Sequence, residues 1–583
     1  MSMEQLREYK PQSAPMPYSV RETSAMSSES IMPPGARNQT EVFAIHGAEP
    51  EVLAYAMAKY SRSALSMRES LAEISSQRAE QFLNTFYFQY GHRSIADLAH
   101  VAMSVERLSL LAAIVLVDEQ RWDGQERSTR YQNFLKSGWF FPDFGEDSAS
   151  AQLYAENIKK LFDTYQRTTT AVLDALRRRV ARPETMPADA YERTLKARAF
   201  DVARYLLPLA TNTSLGQIVN ARTLETQVSR LLSHPAAEVR DLGLKLREAA
   251  TGPAWKVNAQ AGAALVEKLK AAEALYQGTT SVVPQSAGYG EGALAPEGNP
   301  SLAAEAANLL TREVRSAPTL VKYAEPNEYE IQTRAELTQA AAEHLKGLPP
   351  AGSLPHAVVD LVEYTESLEV ELASTLLYSA SHHPYRQIRD LVAGLPASRV
   401  ADIIELGLRH RGKHDEALRA FHAGAALRFD ILMDVGGFRD MHRHRRCTQI
   451  IQSFTTQHGY ETPASGDLGP EFNILAEAGI LADFQSAIEA AHAASARIVA
   501  SQALEAAQSA LYLLPLATRV RSLLKMDFAE AQYIIELRSG PAGHFSYRRV
   551  AWEMYLALQH QHPELAKHIR VTDFTQPIDL LKR

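Results

Sequence analysis

Arg443, His444 and Arg445 stand together in the run MHRHRRCTQIIQSF, and Ser453 follows after seven residues. Two guanidinium forks, an imidazole and a hydroxyl over so short a stretch suit a ligand carrying phosphate or pyrophosphate. A planar arginine fork grips two oxygens at once. A basic run by itself is more often solvated surface. Arg409-His410-Arg411 repeats the tripeptide with arginine where the serine should fall, and reads as a solvated helix end. Further polar groups stand at Gly91-His92-Arg93-Ser94 and Ser128-Thr129-Arg130-Tyr131. His442 and His444 alternate without an Asp/Glu/His set at metal-ligand spacing, so no metal is expected.

The elements that must position these groups belong to a chain of 583 residues, too long for one ordinary core. Apolar residues make up 46% and charged residues 22%, as in a soluble globular protein. The net charge of −7 argues against a nucleic-acid partner, so anions must be bound by local clusters. The single cysteine, Cys447, excludes an internal disulfide and a cysteine-rich zinc site, and suits a reducing, cytoplasmic setting. Its arginine neighbours would favour a thiolate, but a structural, partly buried thiol is the preferred reading. The longest apolar run, Leu108 to Val117, is about half of what a bilayer needs, so no membrane partner is expected.

Residues 1–38 read as a flexible tail, and Thr40 to His46 as a strand. Alternation at Val101, Met103 and Val105 predicts another strand, with Ser109 placed to cap the apolar helix after it. From Ala151 to about Leu275 the pattern is helical almost throughout, broken at Pro208. A Gly/Ser/Pro-rich linker spans 277–300, TLVKYA suggests a strand, and a second Gly/Pro cluster falls at 347–355. An internal repeat decides the architecture. RYLLPLAT at 204–211 returns as LYLLPLAT at 511–518, an offset of 515 − 208 = 307. A strand and a polar signature precede each copy. The chain is read as a tail (1–38), a first domain (39–275), a linker (276–354) and a second domain (355–583).

Both copies resemble the flavin-dependent thymidylate synthases, whose signature is Arg-His-Arg-x7-Ser. The likeness rests in the first copy on Gly91-His92-x-Ser94, Ser128-x-Arg130-Tyr131, Thr213, Asn220, Arg222, Arg230, His234 and Glu238. In the second it rests on Arg443-His444-Arg445, Ser453, Arg521 and Leu537-Arg538. The resemblance implies an α/β (α+β) fold of two tandem ThyX-like domains, each a small, mainly antiparallel sheet flanked by helices, with helical additions. It implies reductive methylation of dUMP to dTMP, with FAD as cofactor, methylenetetrahydrofolate as carbon donor and NADPH as reductant. Arg443, His444, Arg445, His92, Asn220 and Arg222 would face FAD. Ser128, Arg130, Tyr131, Arg230, Ser453, Arg521 and Arg538 would hold the nucleotide, with Ser128, Arg130 and Arg538 nearest the chemistry. A homodimer would form a pseudo-tetramer.

The departures from that pattern are as specific as the matches. Asp118-Glu119-Gln120 stand where the first copy should carry Arg-His-Arg, and Thr455-Thr456 replace the Arg-Tyr that should follow Ser453. Asp527 and Ala529 stand for Asn220 and Arg222. The losses are complementary, which predicts a composite site built across the junction of unlike copies. A relative acting on another pyrimidine nucleotide, and a flavin- or nucleotide-binding relic without catalysis, are the alternatives.

Overall fold

The computed structural model describes residues 49–59 and 93–255, shorter stretches up to 422, and 427–461, 473–501 and 504–582. The tail, the strand expected at Thr40–His46, His92, and the two Gly/Pro-rich segments at 277–300 and 347–355 lie outside the described residues.

Each copy builds one antiparallel sheet. In the first, β1 (His100–Ser109) and β2 (Asp123–Glu126) flank β3 (Asn212–Asn220). In the second, the order is β4 (Val359–Glu363), β5 (Leu427–Asp434), β7 (Arg519–Met526), β6 (Thr448–Ile451). The strand β3 corrects the reading of 151–275 as helical almost throughout. In β3 the buried side chains alternate as Thr213, Leu215, Gln217 and Val219, while Ile218 faces out. Two of the four inward residues are polar, so the period of two is present in burial but blurred in hydropathy. The expected strand in TLVKYA is also corrected. Residues 319–322 run through turns and a bend, and Glu51 of the helix Pro50–Lys59 accepts hydrogen bonds from the backbone N–H groups of Thr319 and Leu320.

The helices follow the same duplicated plan. In the first copy these are α1 (Leu110–Leu116), α2 (Ser148–Arg179), α3 (Ala188–Ala203), α4 (Ala221–Leu232) and α5 (Ala237–Thr251). Their second-copy counterparts are α6 (Val435–Met441), α7 (Leu481–Ala500), α8 (Leu504–Leu511), α9 (Phe528–Ser539) and α10 (Phe545–Gln561). Helix α2 packs against both α3 and α7, so the two copies share a helical layer.

The repeated LLPLAT segments are the seam. Leu209 N–H donates to Leu514 O at 2.9 Å, and its equivalent Leu516 N–H donates to Leu207 O at 2.9 Å. Ala210 N–H donates to Tyr512 O and Ala517 N–H to Tyr205 O, at 2.9 and 3.1 Å. Pro208 faces Pro515 across this bridge. Proline ends the preceding helical stretch and frees backbone groups for an extended partner. Here that partner is the other copy, related by a local twofold. Leu206, Leu207, Leu209, Leu513, Leu514 and Leu516 are fully or almost fully buried around it and join one hydrophobic core.

The copies also cap equivalent helices with opposite chemistry. Ser109 caps α1, accepting from Ala112 N–H, and donates its hydroxyl to Glu238 Oε2 at 2.6 Å. Asp434 caps α6, accepting from Gly437 N–H, and takes the hydroxyl of Ser546. Hydroxyl and carboxylate have changed places between cap and partner. A Cβ on Gly437 would overlap Ser546, so the close approach of α6 and α10 needs glycine there.

Candidate active site

The tripeptide sits where helix α6 runs out and β6 begins, so the local chain places His444 inward and Arg443 outward. His444 is 5% exposed. Its Nε2 accepts from Arg538 Nε at 2.7 Å, while Nδ1 faces Glu530 Oε1 at 3.7 Å. Burial, aided by Arg538, lowers the His444 pKa. The neutral ring protonated at Nδ1 fits both neighbours. Arg445 turns to the first copy: Nη2 donates to Val117 O at 3.2 Å, and its guanidinium stands 4.4 Å from the Trp122 ring centre. Trp122 is itself held by Gln217, to which its indole N–H donates at 2.8 Å. A first-copy aromatic thus positions a second-copy arginine.

Beside this pair opens a cleft of about 750 Å³, a size typical of small-molecule sites. Arg443, Arg445, Arg446 and Arg538 line it, with His422, Tyr533 and the Arg411–Glu536 pair opposite. Glu536 takes both arms of Arg411, at 2.8 and 3.0 Å. The Arg409–Arg411 stretch is therefore not a solvated end at its last residue. Arg411 is largely buried and walls the cleft. His422 and Arg446, both drawn toward Asp527, are lining residues that spacing could not reveal, because the contacts cross 527 − 422 = 105 and 527 − 446 = 81 positions. Arg411 had a visible signal, the second Arg-His-Arg, but no local cue to its partner.

Arg443 also borders two smaller hollows. One, of about 180 Å³, lies against Val117, Trp122, Asp123 and Gly124 of the first copy. The other, of about 20 Å³, brings Arg443 beside Ser128 and Arg130. Arg130 does not offer its guanidinium freely: Nε and Nη2 donate to Asp201 at 2.8 and 3.2 Å, and Nη1 donates to Tyr547 Oη at 2.8 Å. Burial alone would lower its pKa; Asp201 outweighs this and holds it above the ordinary arginine value. Ser128 Oγ accepts from Arg130 N–H at 3.2 Å. Tyr131 is exposed.

The remaining sequence candidates stand apart from the cleft lining. Asn220 caps α4, accepting from Thr223 N–H at 2.8 Å. Arg222 pairs with Asp97 at 2.9 Å and Arg521 with Asp430 at 2.8 Å. Ser453 is exposed just after β6 and is not among the lining residues. Arg230 pairs with Glu119 at 2.8 Å.

At the first copy's equivalent of the tripeptide, an offset of 453 − 128 = 325 places Asp118 opposite Arg443 and Glu119 opposite His444. Asp118 accepts from His442 Nε2 at 3.0 Å across the junction. Burial would raise the Asp118 pKa, but His442, Arg230 and Arg445 hold it below the ordinary carboxylate value. The first copy has closed with ion pairs what the second leaves open. Cys447 lies beneath: it is 3% exposed, its thiol donates to His444 O, and burial pushes its pKa to about 12.

The family described as thymidylate synthase complementing protein matches residues 44–252 and, again, 360–564. The chain belongs to the thymidylate synthase complementing protein family. It carries two copies of that family's domain, a tandem duplication on a thymidylate synthase-like fold. It is 25% identical to a UPF0159 protein of Chlamydia pneumoniae over 576 residues, 93% of each chain. It is 25% identical to a UPF0159 protein of Chlamydia muridarum over 560 residues, 90% of this chain and 91% of that one. A UPF0159 protein of Thermoplasma acidophilum is 23% identical over 554 residues, 89% and 94% of the two chains. Among the described residues, no helix is long and apolar enough to cross a membrane.

Proposed function

We propose that this member of the family is a flavin-dependent, thymidylate synthase-like enzyme that binds FAD and a phosphorylated pyrimidine nucleotide at the second-copy cleft. The reaction would be reductive methylation of dUMP with methylenetetrahydrofolate. The observation that carries this reading is the set of four arginines, Arg443, Arg445, Arg446 and Arg538, converging on one cleft around a neutral, buried His444. Cationic groups on a partly desolvated wall suit the anionic part of a flavin dinucleotide or nucleotide.

The residues present fit such a group. Arg443 and Arg446, both exposed, would meet phosphate oxygens at the mouth. Arg538, held in place by His444, would meet them deeper. Tyr533, partly exposed and edge-on to His444, would offer an aromatic wall. The flavin, when bound, supplies the hydride and the folate supplies the carbon. The chain's own work is to anchor the phosphate ends so that the pyrimidine is held in register. Covalent activation of the ring by a thiolate has no good donor, because the single cysteine is buried with a raised pKa.

Each chain would then hold one such site, since Asp118 and Glu119 stand at the equivalent first-copy positions, and a homodimer would present two. The test is direct. The purified protein should bind one FAD per chain, seen as flavin absorbance, and should release tritium from 5-labelled dUMP when methylenetetrahydrofolate and NADPH are supplied. Two FAD per chain would refute the single-cleft assignment, and no flavin binding would refute the function. Flavin binding without tritium release would support a second reading, a flavin- or nucleotide-binding protein that has lost catalysis. The engagement of Arg130 by Asp201 and Tyr547 favours that reading.

A further inference from the structure

Glu530 stands in the first turn of α9 and is 5% exposed, yet it lines the cleft that Arg443, Arg446 and Arg538 border. Its backbone N–H donates to the cap Asp527 at 2.8 Å, but its carboxylate takes no hydrogen bond from any described residue. His444 Nδ1 stands 3.7 Å from Oε1, beyond hydrogen-bond reach. Neither carboxylate oxygen is sealed off, so both open into the cleft. The neighbouring carboxylates are already answered, Glu536 by Arg411 and Asp527 by His422 and Arg446. The first copy shows that the helix start does not need this charge. The offset 530 − 307 = 223 puts Thr223 there, and its N–H donates to the cap Asn220 at 2.8 Å in the same way.

A carboxylate this buried is costly to leave without donors, so a ligand is called on to supply them. Two acceptor oxygens match an edge that carries two adjacent N–H donors. A 2-amino-4-oxopyrimidine has that edge in its ring N–H and 2-amino group, and it occurs in pterins and in guanine. The imide edge of uracil or flavin does not fit, because its single N–H is flanked by carbonyl oxygens that a carboxylate repels. The arginines of the same cleft suit an anionic tail, whether glutamyl carboxylate or phosphate. We infer that Glu530 is a specificity-determining residue that binds the 2-amino-4-oxopyrimidine edge of a ligand with an anionic tail. Under the proposed function, on which this rests, that ligand is the reduced pterin carrying the one-carbon unit; a guanine nucleotide shares the chemistry.

Titration calorimetry on the full chain, with and without FAD, tests this with two pairs of ligands. One pair is 5-formyltetrahydrofolate and its analogue lacking the 2-amino group; the other is GMP and inosine monophosphate. In the unaltered protein, loss of the 2-amino group should weaken binding roughly ten- to a hundredfold, a readout that needs no variant to fold. Glu530→Gln should shrink that ratio toward one, whereas an indirect effect on the fold would weaken all ligands alike and keep it. The pair bound more tightly identifies the source, pterin or guanine nucleotide. Equal affinity within both pairs in the unaltered protein, an unchanged ratio in Glu530→Gln, or no binding of either pair would overturn the assignment. FAD binding in the same preparation reports on the proposed function separately. Flavin bound without discrimination at the 2-amino group removes the role of Glu530 alone, and discrimination without flavin binding removes the function alone.

Discussion

Arg538 directs its Nε–H at Nε2 of His444, 2.7 Å away, so the imidazole's acceptor nitrogen is spent on orienting an arginine. Under the proposed function, His444 is a positioning residue and Arg538 the group aimed at ligand. In the first copy Arg230 meets Glu119 instead. A carboxylate neutralises the arginine; a neutral imidazole leaves it charged. Under the proposed function, that difference would set which copy binds an anion.

Replacing Arg538 by Met should weaken FAD binding by roughly ten- to a hundredfold, the loss of one charge-assisted hydrogen bond of about 1.5–3 kcal/mol. Arg230→Met should leave that affinity unchanged. Titration calorimetry with FAD reads both, and equal losses in the two variants would remove the distinction between the copies.

Arg130→Ala should behave as a stability lesion. The guanidinium joins Asp201 of the first copy to Tyr547 and the Ala542 carbonyl of the second. Removing one partner of a buried pair costs about 3–5 kcal/mol. Urea unfolding should show a lower midpoint, while the folded variant still binds FAD. Lost binding at unchanged stability would return Arg130 to the ligand.

The exchanged caps offer a rescue experiment. Ser109→Asp sets a second carboxylate against Glu238, whose pKa burial already raises. A loss of about 2–4 kcal/mol is expected from the buried like charges. Adding Glu238→Ser recreates the Asp434–Ser546 pairing and should recover most of it. An additive double variant, worse than either alone, would show that the two cap sites are not interchangeable.

Asp434 supplies a pH signature. Burial, then the Glu461 charge, raise its pKa to about 6, so between pH 4 and 6 the folded state holds a proton that the unfolded state has released. Its contribution to stability is full below pH 4 and is lost as pH rises through 6. Asp434→Asn, which can still cap, should be the more stable form above pH 6, by at most about 3 kcal/mol. The difference between the two proteins is the measurement, because His444 and His492, with lowered pKa values, destabilise both as pH falls below 6.5. Parallel stability curves from pH 4 to 7 would contradict the raised pKa.

Cys447 should resist a thiol reagent in the native protein and react only on unfolding, and Cys447→Ser should retain flavin binding. Fast native labelling would reopen the thiolate reading.

The amino-acid order alone was enough for the duplication, the breaks at Pro208 and Pro515, the Ser109 cap, and the basic tripeptide, because each is written in neighbouring residues or in an offset that can be counted. Strands β3 and β7 were hidden, since Thr213, Gln217 and Ser522 put polar side chains on buried faces and blur the alternation. Only the folded chain decided which arginines stay available. Arg130, Arg222, Arg230 and Arg521 look like Arg443 and Arg538 in one dimension, yet carboxylates distant in sequence claim the first four. Charge is a property of the residue, but whether that charge can meet a ligand depends on which oxygen the fold has already brought beside it.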